Sequence, residues 1–243
     1  MTFSYFITAT NEHDPDARMS VAHYGLIQEA IRTTPDLLKA ELYTPAQITT
    51  YHDDGHSPLL ALRLEFACIE ALESQVADGG YLWRLAQSDD WLAPGASLVT
   101  HQAMLTRTFL PLTRTIADPA LCSYLVHYPG AAENFNGWLS YYIAHHPQIM
   151  LDYPHVLQVN VFTRVDWCDS MPWTRVNYMQ RNMLTFPSSQ LLSEALMSPV
   201  RARMREDNGR FPAFSGRACH YPMLTAVIAP DNGRYFETSP PFV

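Results

Sequence analysis

Hydrophobic and polar positions recur along the chain with two periods, that of a β-strand and that of an α-helix. In the first half, alternation predicts strands at about 3–9, 36–44, 58–66 and 101–109. Apolar positions three and four residues apart predict helices at about 19–33 and 67–77. The resulting order is βαββαβ, which is that of a ferredoxin-like unit.

The second half repeats this order. It predicts strands at 121–128, 155–163, 173–184 and 217–228, and helices at 132–146 and 188–206. Three pairs of segments align at one offset of 119 residues: FSYFIT at 3–8 with CSYLVH at 122–127, TPDLLKAELYT at 34–44 with YPHVLQVNVFT at 153–163, and MLT at 104–106 with MLT at 223–225. The shared offset predicts a tandem duplication, with one repeat over 1–112 and the other over 113–243.

The last strand shows how its side chains divide between two faces. Leu224 and Ile228 belong to the apolar set, which we expect to pack on the helices. Arg217, Cys219 and Tyr221 then share the opposite face, where we expect the site. The strand also carries His220, which falls on the helix-facing side.

The helix at 132–146 carries an aromatic stripe that ends in a histidine. Phe135, Trp138, Tyr142 and His146 follow helical spacing toward the sheet, whereas His145 points elsewhere. A histidine beside aromatic rings suits general acid or base catalysis. A histidine at a helix C-terminus also complements the helix dipole, so both interpretations stay open.

The segment WLSYYIAHHP at 138–147, followed by YP at 153–154, resembles the EthD-like family of the dimeric α/β-barrel superfamily. Trp138, Tyr141, Tyr142 and His146 match the family's aromatic, paired-aromatic and histidine positions, while the family's His-to-Pro spacing selects His145 instead. The resemblance covers about 120–228 directly and 3–109 through the duplication. It implies an α+β fold, in which two ferredoxin-like units pack sheet against sheet and the site lies between sheet and helices.

The resemblance implies several activities, because the superfamily includes cofactor-free monooxygenases, muconolactone-type isomerases, cyclases and accessory proteins. The chain is similar to the tandem cis–trans isomerases of syringate breakdown, in aromatic (lignin-type) catabolism. Our leading hypothesis is a cofactor-independent isomerase of a small anionic ring-fission product. His146 would move the proton, Tyr221 would be its partner, Arg217 would hold a carboxylate, and thiol addition by Cys219 is a variant. A cofactor-free monooxygenase or cyclase, and a non-catalytic binding protein, are the alternatives.

Further residues are candidates for lining the pocket or holding a ligand. We expect substrate contacts from Trp138, Tyr142, Asn160, Tyr124, Tyr178 and His220. The cluster HDDGH at 52–56 has metal-ligand types, but aspartate and glycine are typical of turns between strands, so we predict no metal site. The arginines at 201, 203 and 205, with the acidic residues at 206 and 207, predict a solvated helical face.

Composition narrows the class of protein. The 243 residues include 16 Lys and Arg against 24 Asp and Glu, a net charge of −8, which argues against binding nucleic acid or anionic membranes. Lys39 is the single lysine, so Schiff-base chemistry has one possible nucleophile. Four cysteines without a CxxC pair and an N-terminus unlike a signal peptide predict a soluble cytoplasmic protein. We expect no cofactor, a small anionic organic substrate, and a monomer or homodimer.

Overall fold

The computed structural model describes residues 1–14, 16–48, 54–88, 92, 95–112 and 121–231. The strands are β1 Thr2–Thr10, β2 Leu37–Pro45, β3 Leu60–Phe66, β4 Leu98–Leu110, β5 Cys122–Tyr128, β6 Gln158–Arg164, β7 Thr174–Arg175, β8 Gln180–Phe186 and β9 Cys219–Ile228. The helices are α1 Val21–Arg32, α2 Ile69–Val76, α3 Tyr81–Ala86, α4 Phe135–Met150, α5 Ser189–Met197 and α6 Val200–Asn208. Among the described residues, no helix has both the length and the apolar composition to span a membrane.

Eight strands close into one antiparallel barrel. Their order is β1-β3-β2-β9-β5-β8-β6-β4, and β4 pairs back onto β1. The two halves join where β2 pairs with β9 and β4 pairs with β6, and the short β7 adds to β4 in parallel. The predicted α+β class is confirmed. The origin by duplication and the division at 112/113 stay predictions, and 113–120 lie outside the described residues.

The pleat sends the side chains of each strand into two different cores. Outward-pointing side chains of the first half pack beneath α1 and α2, and those of the second half pack beneath α4 and α5. Inward-pointing side chains meet inside the barrel: Phe6, Tyr43, Ala61, Met104, Leu125, Phe162, Met183 and Met223. Both faces of most strands are therefore covered by protein, which has consequences for the site.

A charged cluster fills part of the barrel interior. The Arg63 guanidinium lies 2.6 Å from Glu41 and 3.2 Å from Glu65, and Lys39 lies 2.7 Å from Glu41. Burial alone would raise the pKa of Glu41, but the charges of Arg63 and Lys39 outweigh burial and hold it below its usual value. The single lysine is thus part of a structural ion-pair network.

Two helices of the second half differ from their predicted bounds. The predicted helix 188–206 is broken into α5 and α6 at Pro199, whose backbone has no N–H to continue the first helix. Helix α4 runs on past Pro147 to Met150, because a proline in the last turn removes only one backbone hydrogen bond. The break at Pro199 lets α6 pack across α4 and bring Asp207 to its buried side.

Candidate functional site

A cavity of about 360 Å³ lies between the sheet and the helices of the second half. Its walls come from β5, β8, α4, α5, α6 and the segment that leads into β9. Aromatic and aliphatic side chains form most of the surface: Tyr124, Val126, Tyr128, Met150, Tyr153, Leu184, Phe186, Leu192, Leu196, Met204 and Phe214. Its volume suits one small organic molecule.

His146 lines this cavity and is paired with a carboxylate. Its Nδ1 lies 2.7 Å from Oδ2 of Asp207, and both residues are buried. The hydroxyl of Tyr141 donates to the other oxygen of Asp207 at 3.0 Å. Because Nδ1–H donates to the carboxylate, the lone pair of the neutral ring lies on Nε2. The pair therefore presents His146 as a base with a fixed tautomer.

Burial sets the charge of His146. Desolvation disfavours the imidazolium and lowers the pKa of His146, and this effect exceeds the opposing influence of the hydrogen bond and charge of Asp207. The ring also packs edge-on against Phe211, with centroids 5.0 Å apart. A neutral imidazole near pH 7 can accept a proton, which is what a general base requires.

The structure separates the two adjacent histidines. His145 is exposed, its Nδ1–H donates to the carbonyl oxygen of Tyr141 at 2.8 Å, and its ring stacks on Tyr141 with centroids 4.3 Å apart. One residue further along the helix turns the side chain of His146 inward. Of these two side chains, His146 alone lines the cavity.

A second histidine–carboxylate pair lies at the same cavity. Nδ1 of His220 lies 2.6 Å from Oδ2 of Asp54, and the same oxygen accepts the backbone N–H of His220 at 3.0 Å. The ring of Tyr124 stacks on His220 with centroids 5.5 Å apart. Tyr124 and His220 both line the cavity, as do Arg217 and Asn182.

The structure confirms only part of the predicted division of β9. Ile228 packs toward the helices and Tyr221 toward the barrel interior, but Leu224 is 40% exposed and Arg217 lines the cavity on the helix side. His220 and Ile228 share the helix-facing side, and that side carries the cavity. Tyr221 packs against the barrel interior and lines a second cavity, while Cys219 lines neither of the two. Strands of the other half close over the face that we expected to be open, because the sheet forms a barrel. His146 and Tyr221 are therefore not brought together.

Arginines give the cavity its charge. Arg201 and Arg205 of α6 line it with Arg217, and the described lining residues include no Asp or Glu. The interpretation of 201–207 as a solvated face is wrong for Asp207, which is buried, and Arg201 is half-buried. Arg203 and Arg205 are exposed, and Arg203 pairs with Asp152 at 2.7 Å. A cavity lined by cations favours an anionic ligand.

A close backbone contact fixes the segment that carries Arg217. Ser215 N–H donates to the carbonyl of Ala131 at 2.7 Å, and Ala132 bridges to Phe214. A Cβ placed on Gly130 would lie 1.4 Å from the carbonyl oxygen of Ser215. Only glycine allows this approach. The segment is therefore held against the start of α4 beside the cavity.

The remaining candidate residues lie outside the cavity. Trp138 and Tyr142 stack behind His146 with centroids 5.1 Å apart, and Tyr142 accepts a hydrogen bond from Asn182 at 2.6 Å. Asn160 is buried on β6. Tyr178 lines a second cavity, of about 410 Å³, together with Tyr221 and His127. Trp138 and Tyr142 thus support the site from behind, while Asn160 and Tyr178 belong to other parts of the barrel.

Two carboxylates at the candidate site were not predicted from the sequence. Asp207 belongs to a charged helix, and no local signal marks it as the residue that turns inward. Asp54 belongs to the segment 52–56, of which His52 and Asp53 lie outside the described residues, while His56 lines the second cavity. No group of three or more metal-ligand residues occurs in the described part of the chain. The predictions of no metal and no cofactor stay predictions.

Comparisons with known proteins identify the fold. No family model and no curated protein matches the chain. Among solved structures, an anthrone oxidase-like protein has a TM-score of 0.56 at 11% identity, over 98% of this chain and 96% of that one. A "putative monooxygenase" of Fusobacterium nucleatum has a TM-score of 0.53 at 8% identity, over 94% of each chain. Another, of Lactobacillus acidophilus, has 0.52 at 9%, over 94% of this chain and 95% of that one. At such identities the likeness shows the fold alone, which is that of the dimeric α+β-barrel proteins.

Proposed function

We propose that this chain is a cofactor-independent isomerase or tautomerase of a small, anionic, conjugated enol or keto acid, such as a ring-fission product of aromatic (lignin-type) catabolism. The observation that carries the proposal is the buried His146–Asp207 pair beside an arginine-lined cavity. The base and the cations suit proton transfer on a carboxylate substrate.

The reaction needs only proton transfers. His146 Nε2 accepts the proton of the enol hydroxyl, and the electron pair of that O–H bond forms a carbonyl group. The displaced electrons move along the conjugated system, and the carbon at its far end takes up a proton. The former double bond is now single and rotates, and the reverse steps restore it in the trans form. No electrons enter or leave the substrate.

The arginines hold the substrate while its bond rotates. A guanidinium binds a carboxylate through two parallel hydrogen bonds, which fixes orientation as well as position. Arg217 lies at the rim, where its side chain is largely exposed, and Arg201 and Arg205 line the wall formed by α6. The apolar walls exclude water, which strengthens these charge interactions.

Turnover of defined conjugated acids tests the proposal. The purified protein would be mixed with 2-hydroxymuconate or 2-hydroxypenta-2,4-dienoate, without oxygen or added cofactor, and followed by ultraviolet absorbance. We expect turnover that falls about 10²- to 10⁴-fold in His146→Gln, as for loss of a general base. His145→Gln is the matched control and should keep its activity. Undiminished turnover in His146→Gln, or no spectral change with either acid, would contradict the proposal.

The aromatic walls favour a second candidate, a cofactor-free monooxygenase. Tyr124, Tyr128, Phe186 and Phe214 line the cavity, and the solved structures with this fold include an anthrone oxidase-like protein. His146 would then deprotonate a phenol whose anion reacts with dioxygen. An oxygen electrode separates the two candidates, because the isomerase consumes no oxygen. If the protein is instead a non-catalytic binding protein, it would bind these acids but would convert neither the acids nor phenols.

A further inference from the structure

The first half of the chain supplies a carboxylate to the cavity of the second half. Asp54 lies in the connection between β2 and β3, beyond the end of its own half's sheet. That connection docks on the second half: Ala46 N–H donates to the carbonyl of Pro222 at 3.1 Å, and Ile48 packs against the second core. The side chain of Asp54 is 2% exposed, so it is buried where the two halves meet.

Asp54 contacts two cavity residues. One carboxylate oxygen accepts both the backbone N–H of His220 at 3.0 Å and Nδ1 of its ring at 2.6 Å. The other oxygen lies 3.2 Å from the Arg217 guanidinium. Two bonds to one residue fix both the ring orientation and the tautomer, with hydrogen on Nδ1. Asp54 is therefore paired with His220 in the same way that Asp207 is paired with His146.

We propose that His220 is a second proton-transfer residue of this cavity and that Asp54, from the other half of the chain, is its positioning residue. This inference rests on the proposed function and adds to it the group that protonates the far carbon of the substrate. His146 takes the proton from the enol oxygen, and the protonated His220 donates a proton from Nε2 to the far carbon. The two rings then exchange protons with solvent or through the reverse step, so the protons balance.

The chain contains a closed counterpart of this arrangement. The 119-residue offset relates His101 to His220, and Tyr5 to Tyr124. His101 bonds to the Tyr5 hydroxyl at 2.8 Å, and its Nε2 lies 3.9 Å from Asp169, a residue of the connection between β6 and β7. There, however, Trp167 packs edge-on against the His101 ring, and His101 is 1% exposed. The same residue types are therefore sealed in one half and line a cavity in the other.

Described groups near His220 bear on its protonation. Asp54 bonds to it from the β2–β3 connection and Tyr124 stacks on it from β5, while Arg217, from the segment before β9, contacts the same carboxylate. His127 on β5 also interacts with it through charge. The bonded carboxylate favours the imidazolium, so Asp54→Asn should make His220 release its proton at lower pH. The basic limb of the pH profile of kcat should shift to lower pH accordingly.

Kinetics of matched variants test the inference, with 2-hydroxymuconate as the probe. We expect kcat to fall about 10²-fold in His220→Gln and in Asp54→Asn, with KM little changed in His220→Gln. The double variant should be no worse than His220→Gln, because Asp54 acts through that ring. Asp169→Asn is the control, since it also removes an aspartate paired with a histidine and an arginine, and its kcat and pH profile should match the wild type. Wild-type kinetics in Asp54→Asn, or an equal loss in Asp169→Asn, would overturn the inference.

Nitrogen-15 NMR of the histidine rings separates this inference from the proposed function. In the full chain without substrate, the His220 ring should carry hydrogen on Nδ1, and it should titrate at lower pH in Asp54→Asn than in the wild type. An unchanged His220 titration overturns the inference even if the protein isomerises its probe. Absence of turnover with an intact NMR pairing overturns the catalytic roles of both histidines, and leaves Asp54 as a structural partner.

Discussion

Replacing Asp207 by asparagine tests how the site prepares its base. The substitution keeps the size of the side chain but exchanges an oxygen acceptor for an amide donor. In the structure, Asp207 accepts from His146 at 2.7 Å and from Tyr141 at 3.0 Å. An amide N–H facing Nδ1 would stabilise the tautomer with hydrogen on Nε2. His146 would then present a donor to the substrate where the reaction needs an acceptor.

The expected magnitudes differ sharply between catalysis and stability. Holding a catalytic histidine in the wrong tautomer costs about 10⁴-fold in kcat in a serine protease, and we expect a loss of about 10³- to 10⁴-fold here. Stability changes little, because a charge-assisted bond of about 1.5–3 kcal/mol gives way to a neutral one of about 0.5–1.5 kcal/mol. The expected loss of unfolding free energy is therefore about 1–2 kcal/mol.

Three measurements on Asp207→Asn check this reasoning. Absorbance assays give kcat, urea unfolding gives the change in stability, and nitrogen-15 shifts give the tautomer of His146. Tyr141→Phe is the matched control, since it removes the other hydrogen bond to Asp207 and leaves the contact with His146. We expect its kcat to stay within about fivefold of the wild type, as the loss of one hydrogen bond implies. Turnover near the wild-type level in Asp207→Asn, with the changed tautomer present, would refute the role of Nε2 as the base.

Four further results are expected. Burial lowers the folded pKa of His146, so the unfolded chain binds a proton more readily, and the free energy of unfolding should fall as the pH drops below about 6.5. Urea unfolding at several pH values should show a smaller fall in His146→Gln than in the wild type. Arg205→Gln should raise KM for a dicarboxylate about tenfold while kcat changes little, as steady-state kinetics will show. Cys219→Ser should leave turnover unchanged, and a large loss would revive the thiol-addition route. Glu41→Gln should destabilise the protein by about 3–5 kcal/mol in urea unfolding, since it leaves the buried Arg63 with a weaker partner.

The sequence determined what depends on neighbours in the chain. Periodicity predicted the order of the main strands and helices, and the helical spacing of aromatic residues placed His146 on the buried side of α4. Alternation along β9 correctly separated His220 from Tyr221. These features follow from local geometry, because a helix repeats every 3.6 residues and a strand every two.

The tertiary structure alone decided which of those residues work together. Alternation cannot say which face of a strand carries a cavity when a closed barrel covers both faces with protein, so the sequence did not show that His220 and Tyr221 line different cavities. The carboxylate partners of the two histidines also lie far from them along the chain, where no local pattern reveals them. Asp207 lies 61 residues from His146, and Asp54 lies 166 residues from His220. Packing of α6 on α4 and docking of one half's connection on the other half create these pairs, because hydrogen bonds of this kind depend on where the elements meet and not on the spacing of residues along the chain.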